Sequence, residues 1–196
     1  MKLPHSFYNR PNVVLIAKEL LGKYLFTRFE GTLTGGIITE TEAYNGIIDR
    51  ASHAFGGRRT ARTEIMYAEA GTAYVYLCYG IHSLFNVVTN EKDVPHAVLI
   101  RAIRPTHGIE QMLKRRKMSE LKKNISAGPG TVSEALGIHY SHSGLNLHGS
   151  KIWIEDKGIV IPKKEIAVSG RIGVAYAGED AGLPYRFVVD AKSLKL

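Results

Sequence analysis

The chain has 196 residues, 44% of them hydrophobic and 22% charged, enough for one compact domain, 1–196, with a sizeable core. Its net charge of +8 predicts attraction to polyanions, nucleic acid before anionic membrane. There is no apolar run near the ~20 residues that span a bilayer, no signal-peptide core and no partner for the single Cys78, so a cytoplasmic protein without membrane contact is expected.

Taken in order, Pro11 to Leu21 reads as a helix. Pro11 suits its first turn, Val13, Ile16, Ala17 and Leu20 fall at helical spacing, and Gly22 suits the stop. Lys23–Phe29 and Leu33–Tyr44 read as strands joined through Gly31. Alternation puts Glu40, Glu42 and Tyr44 on one face of the second. Two carboxylates and a tyrosine on one sheet face are an odd core, but they suit a pocket that holds a flat ring and activates a water. Glu40 also reads as an ion-pair partner for a nearby arginine.

From Asn45 to Ala70 the pattern breaks into a polar loop carrying His53, Gly56, Gly57, Arg58, Arg59 and Arg62, a composition that favours phosphate contact. A short helix closes it around Glu64 to Glu69. Thr72–Tyr79, Leu84–Thr89 and Ala97–Ala102 read as strands, with Tyr74 and Tyr76 on one face of the first and Val75, Leu77 and Tyr79 on the other. Three tyrosines in six residues exceed what a core needs, because each buried hydroxyl wants a partner. Beside basic groups they suit base stacking, worth ~1–3 kcal/mol per base.

Thr106 is the expected cap of a helix carrying Ile109, Met112 and Leu113. That helix ends in Lys114-Arg115-Arg116-Lys117, which reads equally as a solvated helix end or a phosphate contact. Gly128-Pro129-Gly130 reads as a sharp turn, and Thr131 to Glu134 has capping-box spacing for a helix through Leu136. Ile152–Ile154, Glu165–Val168, Ile172–Tyr176 and Arg186–Val189 read as further strands. Without repeat or linker, the economical fold class is one α+β domain.

Nucleotide-binding glycine fingerprints are absent, and His139, His142 and His148 match no recurrent zinc spacing, so neither metal nor cofactor is expected. Cys78 reads as an inert, buried strand residue.

Several segments together resemble the alkyladenine (3-methyladenine) DNA glycosylase family. They are Glu40-Thr41-Glu42-Ala43-Tyr44, His53 with Gly56-Gly57-Arg58 and Arg62, Gly71 to Gly80, Asn86, Val98 to Ala102, Gly128-Pro129-Gly130, Arg171 to Val174 and Pro184 to Phe187. Each piece alone is weak. Their ordered combination, from about residue 5 to 190, is specific.

The resemblance implies a single mixed domain around a curved antiparallel β-sheet with surrounding helices. It implies a monofunctional hydrolase that flips a damaged purine out of double-stranded DNA and cleaves its N-glycosidic bond, initiating base excision repair. Glu42 would then be the general base for the attacking water, with Arg101 and the Ile172 carbonyl holding that water. Tyr44, His53 and Tyr76 would line the base pocket, and Asn86 its purine-discriminating edge. Tyr79 would intercalate, with Gly80 and Ile81 beside it on the DNA, and Arg58 and Arg62 would meet phosphates. 3-Methyladenine is the first candidate substrate, followed by 7-methylguanine, hypoxanthine and ethenoadenine.

No lysine lies in the Glu40–Tyr44 segment, so no lyase step is expected. A monomer, associated with the nucleoid in a bacterium, is the expected working form. The alternative is a non-catalytic domain that reads damage or structure in nucleic acid; a hydrolase of free nucleosides is a third. This chain departs from the family in having Thr131 where a lysine is common and Asp180 where some members carry an aromatic.

Overall fold

The computed structural model describes residues 1–190 and Leu194. Two helices open the chain, α1 (His5–Tyr8) and α2 (Val13–Leu20). The cap of α2 is Asn12, whose Oδ1 accepts the Leu15 N–H at 2.9 Å; Pro11 therefore lies before the helix instead of in its first turn. β1 (Tyr24–Phe29) and β2 (Thr32–Asn45) form a hairpin. Both residues of its turn, Glu30 and Gly31, have positive φ, as a tight two-residue connection of right-twisted strands requires. β3 (Ala73–Cys78), β4 (His82–Thr89) and β5 (His96–His107) follow, then α3 (Ile109–Arg115), α4 (Pro129–Leu136), β6 (Ile152–Glu155), β7 (Ile166–Ser169) and β8 (Arg186–Val189).

Every strand pair is antiparallel, in the order β3-β4-β5-β2-β1-β6, with β8 bridging β2 to β7. The fold is α+β, as expected, with a curled antiparallel sheet. Its spine is β2. One edge of β2 pairs with β5 from Gly35 to Asn45; the other pairs with β1 up to Ile37 and with β8 from Glu40 to Glu42. On one sheet face Ala43, Val75, Phe85, Val98 and Ile100 meet Ile16 and Leu20 of α2 and Val132 and Leu136 of α4 in the main core. Thr41 hydrogen-bonds the Ala17 carbonyl at 2.8 Å, fixing α2 on that face. The opposite face is left for the long loop after β2.

Three local expectations are corrected. Thr106 lies inside β5, where its Oγ1 donates to the Gly35 carbonyl. The residue before α3 is Gly108, at φ 65°, where a Cβ would come within 2.2 Å of the Leu33 carbonyl oxygen. Gly128-Pro129-Gly130 opens α4 itself, with Pro129 in the first turn and Thr131 Oγ1 accepting the Gly128 N–H at 3.0 Å, so the predicted Thr131–Glu134 box falls within the helix. Ile172–Tyr176 forms no strand; a 3-10 turn begins at Ala175.

Candidate active site

The site face is laid out by register. Glu42 pairs with Leu99, Leu99 with Asn86 and Asn86 with Tyr74, so one row crosses four strands on a single face. One step along, Tyr44 lies opposite Ala97 and Ala97 opposite Val88. The β2–β5 register slips at Thr39 on β2 and again at Arg101 on β5, since Thr41 pairs with Ile100 while Glu40 pairs with Ala102. Extra residues of this kind re-aim side chains at functional edges. Arg101, two residues beyond Leu99, shares the glutamate face by alternation: its Nε donates to Glu40 Oε1 at 2.8 Å and its Nη1 to Glu42 Oε2 at 3.3 Å. Arg186 also meets Glu40, at 2.7 Å, so the reading of Glu40 as an arginine partner holds.

Glu42 is fully buried and hydrogen-bonded on both oxygens. Oε2 accepts from Arg101 and from the Tyr44 hydroxyl at 2.9 Å, and Oε1 from the Ile172 N–H at 2.8 Å. The backbone group that Ile172 offers Glu42 is thus its N–H. Burial, then the charge and hydrogen bond of Glu42, hold the Tyr44 phenol well above its usual pKa, so it stays a donor.

Beside Glu42 lies a cleft of about 30 Å³ whose walls include Tyr44, His53, Tyr76, Asn86 and Tyr176. Such a space holds a water and is far too small for a purine. The Asn86 amide donates to the Tyr74 and Leu84 carbonyls, leaving its oxygen as the group it offers a ligand. His53 Nδ1 lies 2.9 Å from the Tyr74 hydroxyl and its Nε2 3.2 Å from Arg62 Nη2. A guanidinium only donates, so Nε2 is the bare nitrogen and Nδ1 carries the proton. Burial, then Arg62 and Arg58, push the His53 pKa down to about 4. Arg62 also stacks 5.0 Å over the ring of Tyr76, one of the cleft walls, and both Arg62 and Arg58 are exposed.

The β3–β4 hairpin turns just beyond the strand that carries Tyr74 and Tyr76. Tyr79 does not share the Val75 face as the alternation suggested, for it has left the strand. It occupies the turn with Gly80, both at positive φ, and is 91% exposed, next to Ile81 at 72%. Cys78, expected to be buried, is half-buried, because it ends β3 beside the exposed Tyr79 turn. Of the basic run that ends α3, Arg115 donates to Thr34 and the Ala135 carbonyl, and Arg116 pairs with Glu134 and the Ile125 carbonyl. Two of its four cations therefore serve the fold.

Asp49 and Arg171, which no motif singled out as a pair, meet behind Tyr44 in a buried two-pronged ion pair. Tyr176 joins the cleft through a hydrogen bond to the Ala51 carbonyl at 3.1 Å.

The family model for methylpurine-DNA glycosylase (MPG) matches residues 6–193. The chain belongs to the methylpurine-DNA glycosylase family. A Chlamydia felis relative is 45% identical over 194 residues, covering 98% of both chains; a Clostridium perfringens relative is 45% identical over 197 residues, 96% of both. One from Bacillus cytotoxicus is 42% identical over 195 residues, 95% of both. All three are provisionally named 3-methyladenine DNA glycosylases. Membership makes the chain a hydrolase, an N-glycosylase acting on DNA with damaged bases, as the resemblance implied. Among the described residues no helix is long and apolar enough to cross a membrane.

Proposed function

We propose that this methylpurine-DNA glycosylase hydrolyses the N-glycosidic bond of alkylated or deaminated purines in duplex DNA, with Glu42 as the base that activates water. The observation that carries the reading is the Glu42 carboxylate itself, fully buried and gripped by Arg101, Tyr44 and the Ile172 N–H beside the aromatic cleft. A domain that only bound a polyanion would gain nothing from a buried carboxylate at its centre.

In this reading the damaged nucleotide is extruded into the cleft between Tyr44, Tyr76 and His53, with Asn86 at its discriminating edge. Base flipping of this kind is the route open to enzymes that act on a stacked base, and a damaged pair is the least costly to open. The small free cleft means that the Arg62 and Tyr76 side chains must part to admit the base. Tyr79, with Gly80 and Ile81, enters the space the base leaves, offsetting lost stacking. Arg58 and the displaced Arg62 meet phosphates.

A purine alkylated on a ring nitrogen is cationic, so it stacks well on tyrosine faces and leaves readily. As the bond from C1′ to the base breaks, its electron pair departs with the base. Water held by Glu42, Arg101 and the Ile172 backbone adds to C1′ and gives its proton to Glu42, whose charge also favours the oxocarbenium-like sugar. None of the residues named around the cleft is a lysine, so no Schiff base forms and the product is an intact abasic site. 3-Methyladenine is the first substrate, then 7-methylguanine, hypoxanthine and ethenoadenine. The enzyme works as a monomer of one domain, at bacterial DNA in the cytoplasm.

The test is base release from duplexes carrying one damaged purine, by wild type and Glu42→Gln. The variant should bind the duplex while releasing base ~10²–10⁴-fold more slowly. Equal release by both would remove Glu42 as the base. Binding without release by the wild type would leave a damage-reading module.

A further inference from the structure

The loop after β2 and the segment before β8 meet at one buried ion pair. The side chains of Arg171 and Asp49 are 0% and 1% exposed, with Nη1 2.5 Å from Asp49 Oδ2 and Nη2 2.8 Å from Oδ1. The Asn45 and Ala51 N–H groups complete the carboxylate at 2.9 and 3.0 Å. The guanidinium donates further to the Ala43 carbonyl at 2.9 Å and the Asp180 carbonyl at 3.1 Å, and it lies 4.9 Å over the Tyr44 ring. Asp180 adds a second tie between the two segments, its Oδ2 accepting the Arg50 N–H at 2.8 Å.

A pair this deep is no economical way to stabilise a fold, because apolar residues of the same volume would do as well or better. Its neighbours are more telling. Arg171 touches the residue after Glu42 through the Ala43 carbonyl and packs on Tyr44, which donates to Glu42 Oε2. It also immediately precedes Ile172, whose N–H donates to Glu42 Oε1. One guanidinium thereby fixes two of the three donors that aim the carboxylate.

We propose that Asp49 and Arg171 are positioning residues that set the orientation of the Glu42 carboxylate through Ile172 and Tyr44. The inference rests on the reading of Glu42 as the water-activating base. Neither residue of the pair touches substrate; each acts only through the groups it holds. Small errors in placing a reacting group reduce rate steeply, so a pair that holds the base affects turnover before binding.

The test compares wild type, Asp49→Asn, Arg171→Lys and Glu42→Gln in three measurements. They are single-turnover release from a duplex with one hypoxanthine or 7-methylguanine, affinity for a duplex carrying an uncleavable abasic analogue, and the Ile172 amide signal in ¹H–¹⁵N spectra. Asp49→Asn should lower the rate ~10–100-fold, leave affinity near wild type, and move the Ile172 amide in the direction that Glu42→Gln moves it. Arg171→Lys, which keeps the charge but loses the fork, should fall between. An unchanged rate, or a lost rate with an unmoved Ile172 amide, overturns the proposal; so does loss of folding in both pair variants, which would leave only a scaffold. A wild-type rate in Glu42→Gln would instead sink the reading of the base, whatever the pair does.

Discussion

Tyr44 donates its hydroxyl proton to Glu42 Oε2 at 2.9 Å, two residues along the same strand. The pair is a product of alternation: positions i and i+2 of β2 share a face, where Glu42 is fully buried and Tyr44 half-buried. With its pKa held well above the usual phenol value by burial and then by Glu42, Tyr44 remains a donor into alkaline solution. Tyr44→Phe keeps the ring and removes one hydrogen bond to a charged acceptor, a loss of ~1.5–3 kcal/mol. Single-turnover base release should fall ~10–100-fold while affinity for damaged duplex holds. The wild-type rate should show no tyrosine limb below pH 10. A wild-type rate in Tyr44→Phe would show that Glu42 is oriented without it.

Arg101 stands between two carboxylates, and the three side chains are 11%, 12% and 0% exposed. Removing one partner of a buried charge network leaves the others uncompensated. Arg101→Met should therefore destabilise by ~3–5 kcal/mol. Arg186, about a quarter exposed and bonded to Glu40 but not Glu42, is the control; Arg186→Met should cost under ~1 kcal/mol. Urea unfolding of the two variants measures the difference. Equal losses would mean that Glu40, and not the Glu42 side of the network, sets the energetics.

The sequence carried the parts of this architecture whose cause is local. Alternation marks β2, β3 and β4 because each has one face on the core and one on the site, and helical spacing marks α2 for the same reason. Local rules failed where distant groups take over. Thr106 has the chemistry of a cap, but the close approach of the Leu33 carbonyl demands glycine at 108, so the helix starts later. Ile172–Tyr176 has strand-like residues, yet the Ile172 N–H is drawn to Glu42 and Arg171 to Asp49, so no ladder forms. The same long-range pairing hides Asp49 and Arg171 as a unit, since 122 positions separate them and neither sits in a spacing that signals a partner. The register slips of the β2–β5 ladder are likewise invisible in composition.

Tyr79 exposes almost its whole side chain at φ 53°, a conformation in which a residue with a Cβ is strained. With its side chain in solvent, Tyr79 has little packing to offset that strain, so stability and function pull apart at this position. Tyr79→Gly should leave unfolding free energy unchanged or raise it by up to ~1 kcal/mol. The same change should weaken binding to damaged duplex by ~1–3 kcal/mol, the worth of one stacked aromatic. Thermal melts and duplex titrations read the two effects separately. A destabilised variant would mean that Tyr79 packs within the fold; unchanged binding would mean that it stays off the DNA.

His53 supplies a pH signature with a definite sign. In the folded protein its pKa is pushed down to about 4 by burial, with Arg62 and Arg58 adding repulsion, against an ordinary value of 6.5. Between those values the unfolded chain binds a proton that the folded protein refuses. The contribution of His53 to stability is therefore whole above pH 6.5 and is lost as pH falls from 6.5 towards 4. Burial also holds His96, His107, His142 and His148 below the ordinary histidine value, so the difference between wild type and His53→Gln isolates this group. Unfolding measured from pH 8 to pH 4 should show wild type losing stability more steeply than the variant below about 6.5. At neutral pH, ¹⁵N spectra of labelled histidine should show the proton on Nδ1, facing Tyr74, with Nε2 bare towards Arg62. Parallel stability curves, or a proton on Nε2, would mean that Arg62 does not sit on His53 in solution.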